Sequence, residues 1–342
     1  MKAKRILISI IVSLVMLLGL TPMTVLAADS GSASGSFTTG NSDPTVDVVA
    51  LYESNEITTA TAMGPQIEYA VKVTVTDANT LDDLSTVTVT IFYDANGIYD
   101  VADVPTAGDV QYAAILTLTV DATPTWEIDA VSGGGTWSIV DGNCKQPTLT
   151  ESTGDFWFHF EPGTVATETT GTDKWHIYAE ADDLGGTPGD NYQDNITMNW
   201  YGEIVVNTPN VDWSTVAPGS DFSVNSQTGI SLTYIANGAY DEQVAADSLW
   251  TGSPSGDATL NEDGTPGANQ FSIKADNTTT LPDDTHLVKA NTTSYTTIGD
   301  TGTQTDEIGN TITTNTLWLK VGTPFTDAAY SGTIYFKIAD GA

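Results

Sequence analysis

Positive charge is what this chain has least of. Ten Lys and Arg stand against 44 Asp and Glu, a formal net charge of −34 at neutral pH. Three of the ten, Lys2, Lys4 and Arg5, precede the first apolar run, and Arg5 is the one arginine in the sequence. The rest carries seven lysines against all 44 acids, a net of −37. Such a surface repels nucleic acid and anionic membrane, which excludes both as partners, and it attracts cations.

Cysteine is almost absent. Cys144 stands alone, so no disulfide forms within the chain. Stability has to come from core burial and bound metal. Cys144 itself reads either as a small half-buried residue or as one half of an intermolecular bridge.

Helical periodicity is missing after the N-terminal run, and so are the signatures of common catalytic sites. There is no Gly-x-Ser-x-Gly elbow, no His-Glu-x-x-His and no phosphate-cradling glycine loop. His159 lies in Phe156-Trp-Phe-His-Phe160 and His176 in Lys174-Trp-His-Ile-Tyr178. Aromatic neighbours on both sides make these strand residues packed on a sheet. The expectation is a protein that is not an enzyme. A secreted hydrolase needs only two of the many carboxylates, but nothing singles out a pair.

What is present is an export signal, strands and acidic turns. Lys2, Lys4 and Arg5 form a positive n-region, Ile6–Leu20 an apolar h-region, and Val25-Leu26-Ala27 a small-residue cleavage site. The 15-residue run is short for a bilayer core, which needs about 20 residues. Residues 1–27 therefore read as a signal peptide and 28–43 as a flexible Ser/Gly/Thr-rich leader. The mature protein is expected to be secreted and associated with the cell surface.

Threonine is the most frequent residue, 55 of 342, and it suits half-exposed pleated surfaces. Alternating runs recur between turn clusters. In 66–76, Tyr69, Val71, Val73 and Val75 share one face. In 87–93, Val87, Val89 and Ile91 oppose Thr88, Thr90 and Phe92. Further strands are expected at 45–52, 113–120, 126–130, 136–140, 156–160, 174–180 and 196–206. After Asn207-Thr-Pro-Asn210 they resume at 212–216, 229–236, 270–275, 285–290, 314–321 and 332–339. Residues 251–268 read as a long exposed loop. The fold class is all-β: two tandem antiparallel β-sandwich (Ig-like) domains, 44–206 and 207–342.

Tyr69-Ala-Val-Lys-Val-Thr-Val-Thr-Asp-Ala-Asn79, followed by Val87-Thr-Val-Thr-Ile, resembles the strand, acidic turn and strand of bacterial Ig-like and cadherin-like repeats. Trp213-Ser-Thr-Val-Ala-Pro-Gly219 and the closing run from Tyr330 are similar in texture to Ig-like modules of secreted bacterial and archaeal surface proteins. The resemblance covers about 60 residues and implies an extracellular structural or adhesive role, with no catalytic residues.

Calcium takes six to eight oxygens from spaced carboxylates, Asn and carbonyls on turns that glycine permits. Asp94, Asn96, Asp100 and Asp103 flank Gly97 in one such run, which lacks the spacing and helices of an EF-hand. Asp77, Asn79, Asp82 and Asp83 form a second acidic turn, and Asp182, Asp183, Asp190 and Asp194 a third. The third is expected at the same end of the sandwich as the others, with calcium relieving their repulsion.

Eight tryptophans are present. All eight could stack on sugars where exposed; most lie within strands and read as packing residues, while Trp250, beside 251–268, is the best exposed ligand-binding candidate. Asn195, Asn277 and Asn291 match the N-glycosylation pattern. The functional expectation is a non-enzymatic, calcium-stabilised subunit of a surface layer, sheath or filament, associating with itself or other surface proteins. The leader and Asp47–Tyr52 would suit donation of a strand to a neighbouring subunit. The alternative is an adhesin or carbohydrate-binding protein that takes glycans.

Overall fold

The computed structural model describes residues 34–105, 114–130, 136–254, 256–292, 294–299 and 302–341. The expected signal peptide, 1–27, and the start of the expected leader lie outside them. The chain divides into residues 1–40 and a unit spanning Asn41–Ala342. Of the former, residues 34–40 are described and form neither helix nor strand.

The first half supplies β1 (Thr45–Glu53), β2 (Ala62–Met63), β3 (Tyr69–Thr76), β4 (Leu84–Asp94), β5 (Ala114–Thr119), β6 (Thr125–Ala130), β7 (Ser138–Ile139), β8 (Thr153–Glu161), β9 (Lys174–Asp183) and β10 (Gly189–Met198). One sheet has the order β1-β3-β8-β7 and the other β2-β10-β9-β4-β5-β6. The predicted alternation is what joins them. Val71, Val73 and Val75 meet Val87, Val89, Ile91, Phe156 and Phe158 in one core, all 0 % exposed. The opposite face of β4 is covered too: Phe92 and Ile115 are buried beneath Tyr99 and Tyr178.

The second half supplies β11 (Gly202–Val206), β12 (Ser226–Ala236), β13 (Tyr240–Ala246), β14 (Leu249–Ser253), β15 (Asp257–Leu260), β16 (Gln270–Asp276), β17 (Lys289–Ala290), β18 (Thr296–Thr297), β19 (Asn310–Val321), β20 (Ala329–Ser331) and β21 (Ile334–Asp340). One sheet runs β11-β12-β19-β16-β15-β14-β20; the other centres on β13, paired with β17, β18 and β21. Short 3₁₀ turns are the only helical elements among the described residues. No described helix is long and apolar enough to cross a membrane.

Several expectations need correction. The run 196–206 is two strands, not one. Asn199-Trp-Tyr201 breaks it, because Trp200 Nε1 donates to the Ala239 carbonyl and Tyr201 N to Asn237 Oδ1. Its second part, β11, therefore pairs with β12 in the second pair of sheets. Residues 212–216 are not a strand, and 251–268 is not one exposed loop. That segment holds the end of β14 and all of β15, with Ala258 and Leu260 buried. The sandwiches are also not wholly antiparallel: β2–β10, β13–β17 and β15–β16 pair parallel.

In this chain β1 pairs with β3 from Thr45↔Thr76 to Glu53↔Tyr69. Side chains of β10 cap its outer edge. Asn191 Nδ2 donates to Val46 O at 3.0 Å, and Leu51 N donates to Gln193 Oε1 at 2.6 Å. The segment that would suit donation to a neighbour is thus held within its own chain.

Candidate metal centre

The β3–β4 turn begins at Asp77, directly after β3, and ends in a 3₁₀ turn, Leu81–Asp83. Leu81 anchors that turn by burying completely. β4 then runs antiparallel to β9, with Leu84 opposite Asp183. That register brings the end of β9 to the start of β4. One ligand oxygen from each of Asp77, Asp83 and Asp183 falls within 4.8 Å of the others. Among the described residues this is the group of three acids, histidines or cysteines placed to hold an ion.

Asp77 is 1 % exposed. Its Oδ1 accepts from Asn79 N at 2.7 Å, while Oδ2 is buried and has no partner among the described residues. Burial holds its carboxyl above the usual range, with Asp83, Asp183 and Asp82 adding repulsion. Asp183 has the opposite bias. Backbone donation from Gly185, with help from Asn41 and Gly186, lowers its pKa. Asn41 Nδ2 reaches Asp183 Oδ2 at 2.8 Å, and Ser42 N donates to Asn79 Oδ1 at 2.7 Å. Asp43 Oδ1 accepts from Thr187 N at 3.1 Å. Gly186 lies between Asp43 and Asp183, where a Cβ would stand 2.9 Å from Asp183 Oδ1. Three turns therefore converge on one ionised carboxylate, one biased toward its neutral form, and Asp83.

The donor set is all oxygen and anionic. It suits a hard divalent cation, calcium or magnesium, over zinc or copper. A divalent charge here would satisfy the orphaned oxygen of Asp77 and cancel the repulsion among the three acids.

The remaining acids fall elsewhere. Asp82 accepts from the Thr80 hydroxyl. Asp94 is at the far end of β4, opposite Lys174, because the antiparallel turn reverses the chain between Asp77 and Asp94. Eleven residues at about 3.3 Å each separate the two ends. The Asp94 carboxylate closes a local turn, accepting from Asn96 N and Ile98 N, both at 3.0 Å. Asp100 caps the 3₁₀ turn Val101–Asp103 through Ala102 N. Asp94, Asn96, Asp100 and Asp103 thus shape a loop. Sequence reasoning put Asp183 in the third acidic turn without selecting it as a ligand; its meeting with Asp77 depends on the β4–β9 register.

The histidines carry structural contacts. His159 Nδ1 and Nε2 sit 2.8 Å from Glu68 and 3.0 Å from Glu56. His176 is fully buried between Phe92 and Tyr99, its pKa lowered by that burial despite Asp94. None of the eight tryptophans is exposed, and Trp250 is 8 % accessible, packed on Phe271. Part of the adjoining 251–268 segment is strand β15, which pairs beside it with Ala258 opposite Trp250. Asn195 is exposed, whereas Asn277 and Asn291 are half-buried and Gly299 packs against the Asn277 side chain.

No protein-family model and no curated protein matches the chain. Eight chains of solved structures do. One is the 35 kDa C-terminal fragment of the major pilin GBS80 of Streptococcus agalactiae, at 10 % identity and a TM-score of 0.21. The match covers 59 % of this chain and 64 % of that fragment, less than two thirds of its length.

Proposed function

We propose that this chain is a non-enzymatic, secreted structural protein of the cell surface whose first sandwich is closed at one end by calcium. The observation that carries the reading is the Asp77–Asp83–Asp183 cluster. It ties the ends of three strands together. An ion there would clamp the scaffold. An exported protein meets calcium outside the cell, and a chain near −34 repels its own copies at low ionic strength. Self-association into a layer, sheath or filament then requires calcium or salt. Negative-stain microscopy and sedimentation of the mature protein, with calcium and with EDTA, test this. Ordered assemblies that need calcium support the reading. A monomer in both conditions and at high salt rejects it.

A further inference from the structure

The second sandwich holds a cavity of about 510 Å³ that is unrelated to the carboxylate cluster. Residues 211–218 pass along one side without pairing as a strand, and 325–330 form the other. Its walls are aromatic. Trp250 stands 4.7 Å from Phe271 and 6.2 Å from Trp213, centroid to centroid. Phe325 and Tyr330 meet edge to face at 5.1 Å. The space opens to solvent along its rim and has the size of a small-molecule site, about 300–1,000 Å³. A second cavity, of about 350 Å³, shares Val211, Trp250 and Tyr330 with it. Gly332 lines that second space against the pyrrole edge of Trp250, where any Cβ would strike Nε1.

Two polar atoms on these walls are orphaned. Trp213 Nε1 and Trp250 Nε1 are buried, and neither has a partner among the described residues. Indole nitrogen can only donate, so each asks for an acceptor. No Lys or Arg lines either cavity, while Asp212 and Asp327 stand exposed at the rim of the larger one. An anionic acceptor would meet repulsion from the rim and from the whole chain. A neutral ligand with acceptor oxygens, hydroxyl donors and an apolar face fits every wall. An aromatic ring face suits the C–H face of a sugar ring, and the rim carboxylates would accept from its hydroxyls.

We propose that the paired cavities bind a neutral glycan. Trp213 and Trp250 donate to its oxygens, and Phe325 and Tyr330 flank its rings. The site does not depend on the calcium reading.

The test uses isothermal titration and tryptophan fluorescence on the mature protein. The probes are neutral oligosaccharides of hexoses and N-acetylhexosamines, with sialylated and sulfated counterparts as anionic controls. Saturable binding by at least one neutral probe is expected, with the anionic counterparts weaker. Trp213→Phe keeps a ring and removes the donor, so it should weaken binding by about three- to tenfold. Trp213→Ala should weaken it further. Trp213 is half-buried, so both variants should keep the parent's circular dichroism. The proposal is overturned if no neutral probe binds at millimolar concentration. Equal affinity in Trp213→Ala, or preference for the anionic probes, also overturns it. So does a dimer that Trp213→Ala dissociates while no glycan binds, which would make the cavities an interface between copies.

Discussion

The side-chain amide of Asn237 donates to the Ala166 carbonyl across 2.8 Å. Asn237 lies in the β12–β13 turn and Ala166 in the connection before β9, so one amide joins the two sandwiches. Its Nδ2 also donates to Asn199 O at 2.9 Å, and its Oδ1 accepts from Tyr201 N at 2.7 Å. Gln304 Nε2 adds a bond to Val165 O at 2.8 Å, and Thr136 N donates to Glu307 Oε1 at 2.9 Å. These directed polar contacts cross the junction.

Asn237 is fully buried, so its replacement strands partners that water cannot reach. Asn237→Ala is expected to lower unfolding free energy by about 1–3 kcal/mol. Urea unfolding followed by tryptophan fluorescence measures it. Two separated transitions in the variant would show that this amide also couples the sandwiches; an unchanged midpoint would mean that the junction does not depend on it.

Under the proposed function, calcium at the Asp77 cluster binds the folded chain and not the unfolded one. At 100 times its dissociation constant, one ion adds about 2.7 kcal/mol. At roughly 2–4 °C per kcal/mol, the melting temperature should rise by about 5–10 °C over EDTA-treated protein. Asp77→Asn should abolish that increment. In EDTA the variant should melt no lower than the parent, since it removes one of three crowded charges. Differential scanning calorimetry decides, and a calcium-insensitive parent would rule out the site.

Burial pushes Glu242 up to about 7, and burial with Asp340 and Asp173 does the same to Glu168. Both folded values lie above the ordinary 4.5. Each group's contribution is therefore complete below about pH 4.5 and is lost as pH rises through 7. Glu242 is 3 % exposed, and its carboxylate lies 3.5 Å from the Tyr234 hydroxyl. Glu242→Gln removes the desolvated charge. It should raise the urea midpoint at pH 8, with the advantage vanishing at pH 5. A gain of equal size at both values would assign the effect to packing instead of charge.

The core of the first sandwich was legible because its side chains alternate. Val71, Val73 and Val75 advertise one buried face with a period of two, and Val87, Val89 and Ile91 supply the facing one. Only the exposure of Trp250 differs from expectation, because the polar, glycine-rich 251–268 looks like a loop, while Ala258 and Leu260 are too few to signal a strand. The metal cluster was half legible. Asp77 and Asp83 are local to one turn, but Asp183 joins them only through a pairing about 100 residues away in sequence. Turn composition carries no information on such register. The same lack of register information lies behind the expectation that Asp94 shares the cluster's end, whereas β4 places it at the other one, opposite Lys174.

Cys144 tests how far chemistry can be read from a lone thiol. Burial pushes its pKa up to about 11, with Asp141 and Glu68 adding to the shift and donation from His159 N opposing it. Its Sγ accepts that N–H at 3.2 Å. At pH 8 the thiolate fraction is then about a hundredfold below that of a thiol with the ordinary value of 9.0. Iodoacetamide should label the native protein slower than the urea-unfolded chain by about that factor, and a non-reducing gel should show monomer. The reduced thiol also donates toward Val140 O at 3.7 Å and His159 O at 3.8 Å, contacts that a disulfide between subunits would give up. Rapid native labelling, or a dimer that dithiothreitol dissolves, would restore the intermolecular bridge as the role of this residue.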